Sequence, residues 1–181
     1  AFISSFITAG VATVVVPCYV KNFNKKSTDA FLTIILGGMA IVTILLLLFR
    51  IPIISVITNR DVEFVNLTGS IMVIFIISNL FGVFTSITSA YFQYKDKYNI
   101  PKISMLFSKI VVIVFVVALA NITIMQYTFI VGFGIILNSL VDLVFAVKSG
   151  WRYKPNFVIN NANTEKLISI FIPILFSTGV Y

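Results

Sequence analysis

The chain has 181 residues, 59% of them hydrophobic and only 10% charged, with no His and one Cys. Average soluble domains carry about a quarter charged residues, so a soluble globular domain is excluded. Metal-ligand clusters, Cys/His nucleophile pairs and a disulfide framework are excluded as well, and no cofactor is implied.

Stretches without a charge cover 1–20, 30–49, 64–94 and 110–141, and each can supply the roughly 20 residues that a helix needs to cross a bilayer. The pattern predicts an all-α polytopic transmembrane bundle forming part of one domain, with spans at about 1–20, 29–49, 66–93, 102–121, 125–147 and 165–181. The first span is a poor signal peptide, since no basic region precedes it and no small-residue cleavage site follows it before Lys21. Position 1 is Ala and both chain ends are apolar, so the expectation is a fragment with further helices on either side.

Ser27, Thr28 and Asp29 are N-cap candidates for the second span, and Pro101 suits the first turn of the fourth. The charge-free run 110–141 would reach about 48 Å as one straight helix, overshooting the hydrocarbon by about half. It must fold back, and the polar stretch 121–126 is the expected turn. Trp151 and Tyr153 beside Arg152 and Lys154 resemble an interfacial belt, which places 150–164 along the membrane surface. Pro17 and Pro173 each remove one helical hydrogen bond, and Cys18 reads as a small packed hydrophobe.

The net charge of +7 sits in short clusters between apolar segments, a distribution that fits topology and gives no stripe for a nucleic-acid partner. Connections after spans one, three and five hold Lys21, Lys25 and Lys26, then Lys95, Lys97 and Lys102, then Lys148, Arg152, Lys154 and Lys166. The opposite connections hold Arg50 and Arg60. Short cytoplasmic loops retain Lys and Arg, so the Lys-rich loops are expected in the cytoplasm and 121–126 outside.

Two charges fall within apolar spans. Lys109 lies eight residues past Pro101, about 12 Å into the membrane, where a cation costs about 2.5 to 3.5 kcal/mol on insertion scales. It either snorkels back to the interface or faces a cavity or partner. Asp142 lies six residues before Lys148, about 9 Å in from the same face. Across the hairpin of spans four and five the two either neutralise each other or line a water-filled cavity, Lys109 meeting an anionic ligand and Asp142 a cation or proton. Span three adds Ser78, Gly82, Ser86 and Ala90 at every fourth residue, a spacing that lets helix backbones approach closely. Asn79, Ser86 and Gln93 recur every seventh residue on an adjoining stripe that suits the lining of a cavity for a bulky amphiphile.

Several segments resemble one family. The run Val14, Val15, Val16, Pro17, Cys18, Tyr19, Val20, Lys21, followed by a Lys-rich turn and Asp29, Ala30, Phe31, resembles the second-helix exit of the MurJ/MviN lipid II flippases of the MOP exporter superfamily. Ala90, Tyr91, Phe92, Gln93 and then Lys97, Tyr98, Asn99, Ile100, Pro101 are similar to their fourth-helix exit and fifth-helix start. The stretch 140–150, with Lys148 before Gly150, resembles the sixth-helix exit, and Ile172, Pro173, Ile174, Leu175 with Val180 the proline-bearing seventh helix. The resemblance spans the whole chain as helices two to seven of fourteen. Where family members carry arginines and an acidic-Gly-Ala stretch before the proline, this chain has Ile3, Ser4, Thr8, Ala9 and Gly10. Lys109 stands where the family commonly has Asn, and Asp142 where it commonly has Gln.

The resemblance implies a flippase, not an enzyme, that carries a polyprenyl-diphosphate-linked saccharide across the bacterial cytoplasmic membrane by alternating access for peptidoglycan synthesis. The partners implied are the lipid bilayer and that cargo; the coupling ion stays open. Alternatives are an O-antigen or capsule polysaccharide flippase, an ion-coupled multidrug exporter of the same superfamily, or a noncatalytic scaffold in which Lys109 and Asp142 merely pair. A membrane enzyme fits least, since one buried carboxylate without His or Cys gives no acid/base pair.

Overall fold

A computed structural model describes residues 13, 15–17, 19, 25–58, 60–119, 121–157 and 162–178. The described residues contain no strand. In order, the helices are α1 (Lys25–Thr58), α2 (Val62–Tyr94), α3 (Asn99–Ala118), α4 (Ile124–Lys148) and α5 (Ala162–Thr178). Thr13, Val15, Val16, Pro17 and Tyr19 are helical too, while Cys18 and the other residues of 1–20 lie outside the described residues. Among the described residues α1 to α4 are each long and apolar enough to cross a membrane, and the fold is a polytopic helical bundle.

Helix α1 overruns the expected 29–49 at both ends. Its 34 residues reach about 51 Å. Pro52 lies inside it, because a proline removes one backbone donor and the apolar run 51–57 carries the helix onward. Arg50 is therefore a helical residue, not part of a connection. Ser27, Thr28 and Asp29 likewise do not precede the described helix; they are buried in and just after its first turn, beside the segment after α4, whose Asn156 bonds to the Lys26 carbonyl and Thr33.

The turn at 121–126 ends in a capping box. The Thr123 hydroxyl accepts from the Gln126 N–H at 3.3 Å, and the Gln126 side-chain carbonyl accepts from the Thr123 N–H at 3.0 Å, satisfying two of the orphan donors that open a helix. Pro101 falls in the first turn of α3, where its missing N–H breaks no bond.

At the Lys-rich end α2 and α4 stop in the same way. The Lys97 and Asp96 N–H groups donate to the Phe92 and Gln93 carbonyls, and the Trp151 and Gly150 N–H groups to those of Ala146 and Val147. Both are Schellman motifs, with the left-handed residue supplied by Asp96 (φ 55°) in one and Gly150 (φ 93°) in the other.

The core also gathers at this end, where Val15, Phe31, Leu32, Ile87, Phe92, Trp151 and Leu167 pack together. Trp151 is 8% exposed, and its indole N–H donates to the Tyr19 hydroxyl at 3.1 Å. The Tyr153 hydroxyl pairs with Thr33 at 2.8 Å, and the Asn156 amide donates to the Lys26 carbonyl at 2.9 Å. The described part of the expected surface segment thus docks onto α1 and the first helical residues, with Trp151 and Tyr153 turned inward and Phe157 exposed. Tyrosine and tryptophan bury readily where a polar tip finds a partner.

Helix α4 packs along α2 on one side and α3 on the other, α2 packs on α1 as well, and α2 and α3 themselves scarcely touch. Its pairing with α2 is parallel at a constant offset of 58: Ser139 donates to the Phe81 carbonyl and Tyr91 to the Ser149 carbonyl. Its pairing with α3 is antiparallel. Ser104 bonds Asn138 and the Ser108 carbonyl faces Gly134, so facing residue numbers add to 242 in both places.

Candidate functional site

Between α2 and α3, over α4, lies a cavity of about 800 Å³. Its polar lining comes from Thr85 on α2, Ser108 and Lys109 on α3 and Asn138 on α4, and Gly82, Met105, Val112 and Ile135 are among the residues that complete it. An added Cβ at Gly82 would meet no atom within 4 Å, so the glycine keeps that wall open.

Lys109 is the one charged residue on this wall among the described residues. It stands eleventh in the 20-residue α3, about 14 Å from either helix end, farther than its stem extends. Lys109 is exposed and lines the cavity.

Asp142 behaves in the opposite way. It is 0% exposed and neither carboxylate oxygen has a hydrogen-bond partner. It does not line the cavity. No ion pair within 4 Å joins it to Lys109, and the register gives the reason. Lys109 is level with Phe133, nine residues and about 13 Å from Asp142 along α4. Reading depth from the two helix ends assumes that the ends are flush, whereas α4 runs about five residues past the start of α3.

The stripe Asn79, Ser86 and Gln93 is not part of the cavity wall. Asn79 and Ser86 are half-buried and Gln93 is exposed at the end of α2; the Ser86 hydroxyl donates back to the Gly82 carbonyl at 3.3 Å. The four-residue series divides by role. Ser78 meets Gly132 of α4, where an added Cβ would stand 2.8 Å from the serine oxygen, and Gly82 faces open space.

Sequence reasoning missed Thr85, Ser108 and Asn138. Two signals were available: the i, i+4 serines Ser104 and Ser108 beside an intramembrane lysine, and Asn138 one turn before Asp142 in an otherwise apolar helix. It also missed that Arg50 lines a smaller cavity of about 440 Å³ with Ser70, Ser78 and Gly132. One guanidinium N–H of Arg50 donates to the Leu47 carbonyl at 2.9 Å.

A cation at mid-helix on the wall of a mainly apolar cavity with a few hydroxyl and amide groups can neutralise an anionic group that would otherwise cross hydrocarbon unpaired. Comparison with known proteins bears on which one. The family described as lipid II flippase MurJ matches residues 1–181. No curated protein and no solved structure matches. A full-length family match over a bundle of membrane-length helices places this chain in the MurJ lipid II flippase family.

Proposed function

We propose that the chain belongs to a flippase that moves a polyprenyl-diphosphate-linked cell-wall precursor of the lipid II type across the bacterial cytoplasmic membrane by alternating access. In this reading Lys109 meets the diphosphate, Thr85, Ser108 and Asn138 offer hydrogen bonds to the headgroup, and the polyprenyl tail stays in lipid. The Lys-rich end lies in the cytoplasm, as the asymmetry of basic residues supports. The binding is noncovalent and the cargo crosses unchanged.

The observation that carries the proposal is the unpaired Lys109 at mid-helix on the cavity wall. A flippase for another lipid-linked saccharide shares the diphosphate chemistry, so cargo choice rests on the sugar contacts.

The test uses the full-length protein in proteoliposomes with a fluorescent lipid-linked diphosphate. A charge-assisted hydrogen bond is worth about 1.5 to 3 kcal/mol, so Lys109→Met should slow transport about 10- to 100-fold while the protein stays folded. Lys109→Arg should keep most of the activity. Unchanged transport by Lys109→Met removes Lys109 from the cargo site.

A further inference from the structure

The carboxyl of Asp142 has no role in cargo binding as described, yet it is the one fully buried acid among the described residues. It is 0% exposed, and both oxygens lack a hydrogen-bond partner. The offset of 58 sets it level with Phe84 and Thr85 on α2, and the α3 register sets it level with Ile100, one turn from Ser104. An ionised carboxylate in such a place needs a cation, a ring of donors or a proton.

The surrounding groups decide among these. Ser104 gives its hydrogen to Asn138, at 2.9 Å to Oδ1 and 3.2 Å to the carbonyl oxygen. Thr88 donates to the Phe84 and Thr85 carbonyls and Ser139 to the Phe81 carbonyl. The Ser104 hydroxyl stands near the carboxylate but gives its hydrogen to Asn138, Thr88 and Ser139 turn theirs to backbone carbonyls, and both carboxylate oxygens are left without a bond. The nearest titratable side chains along the packed helices are Tyr91 on α2, bonded to the Ser149 carbonyl at 2.8 Å, Tyr98 at the start of α3, which donates to the Asp96 carboxylate at 3.3 Å, Lys102 and Lys109 on α3, and Lys148 on α4. None of the five bonds to Asp142. Thr85 is the remaining group: its hydroxyl is buried without a partner, and its residue lines the Lys109 cavity. Asn138, one turn before Asp142, lines the same cavity.

We propose that Asp142 is a proton-binding site behind the cavity wall formed by Thr85 and Asn138, carrying its proton while the α2–α4 seam is sealed. When the helices part and water enters past Thr85, the carboxyl O–H breaks, its electron pair stays on the carboxylate and the proton passes to water. The proton therefore favours the sealed arrangement. That preference is full at low pH and is lost as pH rises, about tenfold per pH unit for one linked proton. Under the transport reading above, this links helix rocking to a proton gradient.

The experiment reads the proton first, without any cargo, on the full-length protein in lipid. Infrared difference spectra at neutral pH should show a carboxylic-acid C=O band that moves in D₂O, disappears in Asp142→Asn and shifts in Thr85→Val. Absence of that band in the wild-type protein means that the carboxylate is charged and overturns the proposal whatever the cargo is. Sodium in place of choline at fixed pH should leave the wild-type melting temperature unchanged; sodium stabilisation lost in Asp142→Asn would make this a metal-ion site and overturn it too. In proteoliposomes, cargo accumulation by the wild-type protein should follow an imposed pH gradient, and Asp142→Asn should exchange cargo but ignore the gradient. Gradient-driven accumulation by Asp142→Asn overturns the coupling.

Discussion

The two faces of α4 are built for different ends. Toward α2 the contact is continuous, from Gly132 against Ile74 and Ser78 through Ser139 on the Phe81 carbonyl to Ser149 under the Tyr91 hydroxyl. Toward α3 it is pinned at Asn138 by Ser104 and at Gly134 by Val112, and between α3 and α2 it opens into the cavity of about 800 Å³. Without a hydrophobic driving force in lipid, small residues and interhelical hydrogen bonds supply the adhesion; on the α2 side they are spread from Gly132 to Ser149, and on the α3 side they sit together at Gly134 and Asn138. The charges follow the same division: the acid is sealed at the level of the seam, and the base stands in the open cavity.

Glycine substitutions on the two walls break this comparison most directly. A Cβ at Gly132 would stand 2.7 Å from the Ile74 Cγ2 and 2.8 Å from the Ser78 oxygen. Ile74 is stiff at its branched carbon and the Ser78 hydroxyl is bonded to the Ile74 carbonyl, so neither yields easily. Gly132→Ala should cost about 1 to 3 kcal/mol, seen as a lower melting temperature in detergent. Gly82→Ala, in open space, should be neutral or stabilising by up to about 1 kcal/mol while it narrows the cavity. Equal melting temperatures for the two variants would mean that the seam is no tighter than the cavity wall.

Much of the bundle was legible because its signals are local. Charge-free runs mark the helices, the polar stretch 121–126 marks the turn between two of them, and Lys109 stands out as a charge in an apolar helix. What escaped depends on how neighbouring elements meet. Arg50 read as a loop marker because it ends the charge-free run 30–49, yet the apolar run beyond it sustains the helix. Ser27, Thr28 and Asp29 have cap chemistry, but the segment 151–157 folding back beside them is not written near them. The spacing of Asn79, Ser86 and Gln93 defines a face without saying which helix that face meets. Lys109 and Asp142 have similar distances from their own helix ends, and no sequence distance fixes how far one helix slides along another.

The end of the seam offers a smaller test. Gly150 has φ 93°, and its N–H and that of Trp151 close the Schellman motif that holds Ser149 under Tyr91. A side chain in the left-handed region costs about 1 to 2 kcal/mol. Gly150→Ala should lower stability by about 1 kcal/mol and speed hydrogen exchange at the Trp151 amide, leaving amides of α3 unchanged. Faster exchange across α3 as well would show that the two faces of α4 are one cooperative unit.

The smallest expected effect is the sharpest test of whether the base and the acid act separately. Breaking a buried ion pair by removing one partner costs about 3 to 5 kcal/mol, and removing both restores much of it. Residues farther apart than about 7 to 10 Å without shared partners add within about 0.5 kcal/mol. The register puts Lys109 and Asp142 about 13 Å apart along α4, Lys109 lines the cavity and Asp142 is shut away. Lys109→Met, Asp142→Asn and the double variant should therefore give stabilities that add, with a coupling energy below about 0.5 kcal/mol in detergent melts of the full-length protein. Asp142→Asn should cost little, since an amide replaces a neutral acid of nearly the same shape. Recovery of stability in the double variant would reunite the two charges as a structural pair, and Lys109 would then be satisfied by the protein itself and withdrawn from the cargo.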